Sequence, residues 1–221
     1  MGVNTKTVRI LGLAANLANT PALLPGSGVE AWGANYHGPY YARLPHLRET
    51  DGWTRWFNIH SKKYMLRVYP HGYEWYKKWD RPIYLRHVEP DVPGSVEFPR
   101  KAIQDYFGGP QMGSPGRFFT FTGGWLTALA IMEGFERIEF WGFRLADKPP
   151  KSHECYKFER PCFWYWVKRA RDLGIEVTYQ KEIADLPFEP GDPAEYAGDL
   201  YGFETSLPVC QLNCKNCYQA P

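Results

Sequence analysis

Three polar side chains stand just after short β-rich runs of the sequence, at positions where parallel sheets bind ligands. They are Asn16 in "TVRILGLAAN", Asn35 in "GVEAWGANY" and His60 in "WTRWFNIH". In an open parallel sheet, ligands bind beyond the carboxyl ends of the strands, at the point where the strand order reverses. We therefore expect these side chains to face one crevice, with His60 and the neighbouring Trp56 contacting a substrate. Burial in the core is the competing interpretation for His60 and Trp56.

The stretch "FTGGWLTALAIMEGF" predicts a helix whose N-terminus faces the same crevice. Thr122 is expected to be the N-cap, and Gly123 and Gly124 would leave the first amides open to a ligand. Unpaired N–H groups and the helix dipole at such a terminus both favour a phosphate or a carboxylate. Ordinary turn chemistry is the alternative explanation of the two glycines.

The segment "HECYKFERP" collects groups that could transfer a substituent to a hydroxyl. Such a transfer needs a base that takes the hydroxyl proton, for which His153 or Glu154 is the candidate. It also needs donors that stabilise a departing phosphate, for which Tyr156 and Arg160 are the candidates. We expect this segment to be an exposed loop, so that replacing Arg160 would affect folding little. A solvated loop with no chemical role is the alternative.

Three cysteines near the end of the sequence, in "CQLNCKNCYQAP", are a possible metal or cluster site. Cys210, Cys214 and Cys217 have the C-x3-C-x2-C spacing by which radical S-adenosylmethionine enzymes hold an iron–sulfur cluster. Those enzymes carry the motif early and need a long barrel after it, whereas four residues follow here. The same cysteines could supply three ligands of a structural zinc, with His153, Cys155 or Cys162 as the fourth. An unliganded tail is the favoured interpretation, and the catalytic site is expected elsewhere.

The elements that must position these groups alternate between strands and helices along the chain. Strands are predicted at 8–13, 29–32, 53–59, 83–86, 137–141 and 175–179, and helices at 73–79, 100–107, 125–133 and from Pro161 to Gly174. Glycine ends two of the helices, at Gly134 and Gly174, as is typical of helix C-termini. This alternation predicts an α/β fold with a mostly parallel sheet and helices on both faces. One domain is expected over residues 1–183, followed by an irregular segment over 184–221.

Composition excludes several classes of protein. The chain has 221 residues with a formal net charge of +2, which is far from the strongly basic balance of a dedicated nucleic-acid-binding protein. It has neither a G-x-x-x-x-G-K-[ST] loop nor a G-x-G-x-x-G after its first strand, which argues against a P-loop kinase and a dinucleotide dehydrogenase. Five cysteines and no signal-peptide pattern indicate a soluble, cytoplasmic protein without a disulfide framework.

Several of these motifs together resemble a known group of enzymes. "GLAANLANTP", "VEAWGANY" and "FTGGWLTALAIMEGFERIEFWGF" are similar to motifs of the Rossmann-like group that holds bacterial sialyltransferases of glycosyltransferase family 42 and 6-hydroxymethylpterin diphosphokinase-like proteins. The similarity extends to small phage-encoded relatives and covers roughly residues 7–180. It implies a nucleotide site formed by Asn16, Asn35 and Thr122–Gly124, and it implies phosphate-binding tyrosines, for which Tyr156 and Tyr165 are candidates. The first loop departs from the family pattern, so Asn19 is an alternative to Asn16.

The resemblance leaves three functional hypotheses. The leading one is a glycosyltransferase that uses a nucleotide-sugar donor to modify a hydroxyl of a glycan or of a modified DNA base, in a phage or its host. The second is a phosphotransferase of the hydroxymethylpterin diphosphokinase type. The third is a nucleotide-binding or virion-associated protein without catalytic activity. No membrane partner and no obligatory cofactor are expected, with zinc at the tail cysteines as the one candidate metal.

Overall fold

A computed structural model describes residues 5–12, 19–35, 47, 52–108, 119–143, 145 and 159–180 of the chain. Within these ranges the chain forms seven strands and five helices. The strands are β1 (Thr7–Leu11), β2 (Val29–Ala34), β3 (Arg55–Asn58), β4 (Ile83–Leu85), β5 (Ser95–Glu97), β6 (Arg137–Trp141) and β7 (Glu176–Tyr179). The helices are α1 (Lys62–Val68), α2 (Pro70–Tyr76), α3 (Arg100–Tyr106), α4 (Thr122–Met132) and α5 (Glu159–Asp172).

The described strands form one parallel sheet in the order β5-β4-β3-β2-β1-β6-β7. The chain adds strands in one direction from β1 to β5 and then returns to the other side of β1 with β6. The strand order therefore reverses between β1 and β6, and a crevice is expected beyond their carboxyl ends. The predicted α/β, Rossmann-like architecture with helices on both faces of the sheet is confirmed.

The larger hydrophobic core lies on the sheet face that α3, α4 and α5 cover. Alternate residues of the strands point into it, including Ile10 of β1 and Phe140 of β6, since successive strand side chains face opposite sides. Helix α4 is apolar all round, with every residue from Thr122 to Ile131 buried. A helix with no polar face is expected only where it is enclosed on all sides, and α4 lies between the sheet, α3 and α5.

The opposite face of the sheet differs between its two halves. Over β2, β3 and β4 it carries a second core, closed by α1 and α2 and rich in tryptophan. Over β1, β6 and β7 it carries ion pairs, with Arg9 bound to Glu139 at 2.9 Å and Arg137 bound to Glu139 and Glu176. This explains the alternation of charged and apolar residues in β6, where Ile138 and Phe140 face the first core and Arg137 and Glu139 face the other side, while Trp141 at the strand end packs against the second core.

The sequence-based boundaries agree with most of these elements and miss two of them. Helix α1 was not predicted, although Ser61 caps it by accepting a hydrogen bond from the Tyr64 amide at 3.2 Å. Strand β5 has only three residues and lies at the edge of the sheet, with two of them exposed. The expectation that Thr122 is an N-cap is wrong, because Phe121 occupies that position and Thr122 is the first helical residue. Gly134 and Gly174 follow their helices with φ of 72° and 80°, as predicted.

Candidate functional site at the carboxyl edge of the sheet

Asn35 follows β2, and three hydrogen bonds fix its backbone. Its φ of 58° is the only positive value among the described non-glycine residues, in a region where asparagine is better tolerated than most residues. Its amide donates to Phe57 O at 2.7 Å, and its carbonyl oxygen accepts from Tyr76 Oη at 2.6 Å and from Trp56 Nε1 at 2.9 Å. These bonds fix the unusual backbone conformation and the direction of the Asn35 side chain.

The Asn35 side chain reaches the start of α4, as the sequence predicts. Thr122 Oγ1 donates to Asn35 Oδ1 at 3.1 Å, across 87 residues of sequence. Gly124 N–H donates to Phe121 O at 3.1 Å, but the amides of Thr122 and Gly123 have no acceptor among the described residues. The Asn35 Nδ2 group likewise has none there. Two backbone donors and one side-chain donor are therefore grouped at a helix N-terminus, which is an arrangement that binds anions.

The two glycines of α4 are explained by packing rather than by access for a ligand. A Cβ on Gly124 would lie 2.8 Å from Cys162 Sγ and 3.3 Å from the Trp166 ring, both on α5. A Cβ on Gly123 would lie 2.4 Å from the Phe121 ring. Gly124 thus faces the neighbouring helix, and a side chain there would strike α5 before it met any phosphate.

His60 and Trp56 lie in the protein interior, which corrects the expectation that they contact a substrate. Trp56 is fully buried in the tryptophan-rich core, at 4.9 Å from Trp53 and 5.2 Å from Trp75 between ring centroids. His60 is 4% exposed, and burial, together with the charge of Arg86, lowers its pKa to about 4. Trp56 therefore supports the site from within the core, through its hydrogen bond to the Asn35 carbonyl oxygen. His60 is neutral at pH 7.

Arg160 occupies a different environment from the exposed loop that the sequence suggested. It lies in the first turn of α5, is 5% exposed, and its Nη2 donates to Leu145 O at 3.2 Å. The expectation of an exposed residue is therefore wrong, and replacing this buried guanidinium is expected to affect folding. The other candidate site residues lie outside the described residues: Asn16, His153, Glu154, Tyr156, Cys210, Cys214 and Cys217.

The carboxyl ends of β1 and β6 approach each other too closely to admit a side chain. Gly12 N–H donates to Trp141 O at 2.8 Å, and a Cβ on Gly12 would lie 2.4 Å from Gly142 O. Gln180, which follows β7, accepts from the Gly142 amide through Oε1 at 2.7 Å. The bottom of the expected crevice between β1 and β6 is thus formed by backbone.

Sequence reasoning missed the residues that support Asn35 from behind. Tyr76 Oη accepts from Asn58 Nδ2 at 2.8 Å while it donates to the Asn35 carbonyl, and Asn58 Oδ1 in turn accepts from the His60 amide at 3.3 Å. Burial raises the pKa of Tyr76 despite the opposing effect of its hydrogen bond with Asn58, so its hydroxyl stays protonated as a donor. Tyr76 lies within a predicted helix, but nothing in the sequence pattern shows that its hydroxyl reaches the end of β2.

No known protein family, curated protein or solved structure matches this chain. Among the described residues, no group of three or more His, Cys, Asp or Glu side chains could hold a metal ion, and no helix is long and apolar enough to cross a membrane. The arrangement that remains is a set of neutral hydrogen-bond donors around Asn35 and Thr122. Such donors bind and orient an anionic ligand without themselves exchanging protons.

Proposed function

We propose that this chain is a nucleotide-sugar-dependent transferase whose donor phosphates bind at Asn35, Thr122 and Gly123. The observation that supports the proposal is the Asn35 side chain, held in a left-handed backbone conformation and bonded to Thr122 at the first residue of α4. Residues in sparsely populated backbone regions cluster at functional sites, because the surrounding structure must hold them there. The transferase class rests on the motif resemblance to the glycosyltransferase group.

The reaction in this proposal is the transfer of a sugar from a nucleoside phosphate to a hydroxyl. The bond between the anomeric carbon and the phosphate oxygen breaks, a bond from that carbon to the acceptor oxygen forms, and the acceptor proton passes to a base. The amide donors of Thr122 and Gly123 and the Asn35 Nδ2 group would stabilise the charge that develops on the departing phosphate. His153 and Glu154 remain the candidates for the base.

The test exploits the positive φ of Asn35. Glycine adopts this conformation readily, so Asn35→Gly removes the side-chain amide and keeps the backbone conformation. Asn35→Ala would also strain the backbone, so a loss of binding could not be assigned to the missing amide alone. We expect Asn35→Gly to weaken binding of a nucleoside diphosphate by about 1–3 kcal/mol, the scale of one lost hydrogen bond to a charged group. Asn35→Asp keeps the acceptor for Thr122 and adds a negative charge, so it should weaken binding further.

Binding is measured by calorimetry and by a thermal-shift panel of nucleotides, nucleotide sugars, and ATP with magnesium. Turnover is measured as the slow hydrolysis of nucleotide sugars, with water as acceptor. A response to nucleotide sugars that Asn35→Gly removes supports the proposal. A response to ATP with magnesium alone would favour the diphosphokinase type instead. The absence of a response to every member of the panel would contradict the proposal.

A further inference from the structure

A second cluster of polar side chains lines an open pocket at the far end of the same sheet edge. The pocket has a volume of about 400 Å³ and lies where β4 and β5 end and α3 begins. The Phe98 amide, directly after β5, donates to Leu85 O at 2.7 Å, so the two strand ends are tied together beneath the pocket. Ligand pockets of drug-sized molecules begin at about 300 Å³, so this volume admits more than a single ion.

The charged side chains that line the pocket are mainly cationic. Arg86 comes from the end of β4, Arg100 and Lys101 come from the start of α3, and Glu97 is the one carboxylate among the lining residues. Glu97 lies 4.0 Å from His87 Nδ1, and Lys101 also pairs with Asp105 one turn further along α3. Two arginines from separate elements therefore line the same space, and guanidinium groups match the geometry of phosphate oxygens better than ammonium groups do.

The rest of the pocket suits the organic part of a ligand. Phe98 is buried against Phe57 and Trp125, and Pro99 and Ala102 are the other apolar residues that line the pocket. The positive charge of Arg86 also acts on the protein interior, because it helps to lower the pKa of the buried His60. The pocket thus combines positive charge with apolar surface, of which Phe98 belongs to the core.

We infer that this pocket binds the phosphoryl group of an organic phosphate, at a site separate from Asn35 and Thr122. Strands β2 and β4 are two positions apart in the sheet, so their carboxyl ends lie about 10 Å from each other along one edge. That spacing places a second phosphate-bearing ligand, or the far end of a long one, beside the proposed donor site. The inference stands whether or not Asn35 binds a nucleotide.

The experiment titrates the full chain with inorganic phosphate, ribose 5-phosphate, neutral ribose and a short single-stranded oligonucleotide. We expect ribose 5-phosphate to bind and ribose not to bind. Arg86→Gln and Arg100→Gln should each weaken that binding by at least about tenfold, as expected for loss of a charge-assisted hydrogen bond. Arg100→Lys keeps the charge and loses the planar fork, so it should give an intermediate loss.

A control separates this pocket from a general effect of surface charge. Arg169→Gln removes the same charge from an exposed position near the end of α5, and it should leave the affinity for ribose 5-phosphate unchanged. Arg100 is exposed, so its variants are expected to fold even if Arg86→Gln does not.

The outcomes decide both the inference and the source of the phosphate. Binding of ribose 5-phosphate that depends on Arg100 supports a small phosphorylated ligand, and binding of the oligonucleotide alone with the same dependence supports a nucleic-acid backbone. An affinity that both arginine variants leave unchanged would overturn the inference. So would an equal loss in Arg169→Gln, or the absence of binding by all three phosphate-bearing probes.

Discussion

Asn35 shows how a single residue can join three parts of this fold at the edge of the sheet. Its carbonyl is bound by a tyrosine of α2 and a tryptophan of β3, and its side chain is bound by Thr122 of α4. These partners come from both faces of the sheet, so a ligand at Asn35 would contact a residue that is hydrogen-bonded to elements of both cores. The site is pre-organised because the energetic cost of the backbone conformation is offset by bonds formed during folding.

His60 gives a pH-dependent stability whose sign follows from its burial. Its pKa is lowered to about 4 in the folded protein, against 6.5 for an unperturbed histidine. Between these values the unfolded chain binds a proton that the folded protein does not, so stability falls as the pH falls from 6.5 toward 4. The contribution is present in full above pH 6.5, and the loss reaches up to about 3 kcal/mol near pH 4.

The measurement is urea denaturation at several pH values between 7 and 4. His60→Gln cannot titrate, so its stability should fall less steeply over this interval than that of the parent chain. His71→Gln is the matched control, because His71 is exposed on α2, and its pH dependence should follow the parent. Parallel curves for His60→Gln and the parent would show that the imidazole is not held neutral as described.

At the scale of elements, the contact between α4 and α5 depends on the missing side chain of Gly124. Alanine is a better helix former than glycine by about 1 kcal/mol, so propensity alone predicts that Gly124→Ala stabilises the protein. A Cβ there would lie only 2.8 Å from Cys162 Sγ, and the fully buried Trp166 ring leaves little room for adjustment. We expect the clash to dominate and to lower the free energy of unfolding by about 1–3 kcal/mol.

The partner substitution Cys162→Ala separates the clash from other effects. It removes the sulfur that the new Cβ would meet, so the penalty of Gly124→Ala should be smaller in that background, with a coupling energy of about 1 kcal/mol. The four proteins are compared by chemical denaturation. Additive effects, or a Gly124→Ala variant more stable than the parent, would contradict the packing that the structure shows.

The sequence predicted the elements whose signals are local and missed those that depend on neighbours. Apolar runs and terminal glycines located α4 and β6 because both are buried and bounded by turn residues. Strand β5 carries no such signal, since three residues at a sheet edge are defined only by pairing with β4. The meeting of Asn35 with Thr122 was predictable because parallel strands end at one edge, whereas the burial of Arg160 was not, since it depends on how α5 docks.

At the scale of the whole molecule, two hydrophobic cores cover opposite faces of one sheet. Among the residues that the structure describes, their buried members lie between Val8 of β1 and Val177 of β7. A domain with cores of this extent can fold without a metal or a disulfide, because it buries enough apolar surface of its own.

The last prediction concerns Cys210, Cys214 and Cys217. Truncation after Pro208 should change the free energy of unfolding by less than about 1 kcal/mol, since every core residue that the structure describes precedes the cut. Nucleotide binding at Asn35 should also persist, because its hydrogen-bond partners among the described residues lie between Trp56 and Thr122. The measurements are chemical denaturation and calorimetry of the truncated and full-length chains, with elemental analysis of the anaerobically purified full-length protein. Stoichiometric zinc with unchanged stability would make the tail a local clip; stoichiometric iron together with loss of turnover on truncation would place the chemistry at the cysteines and overturn the assignment to the sheet edge.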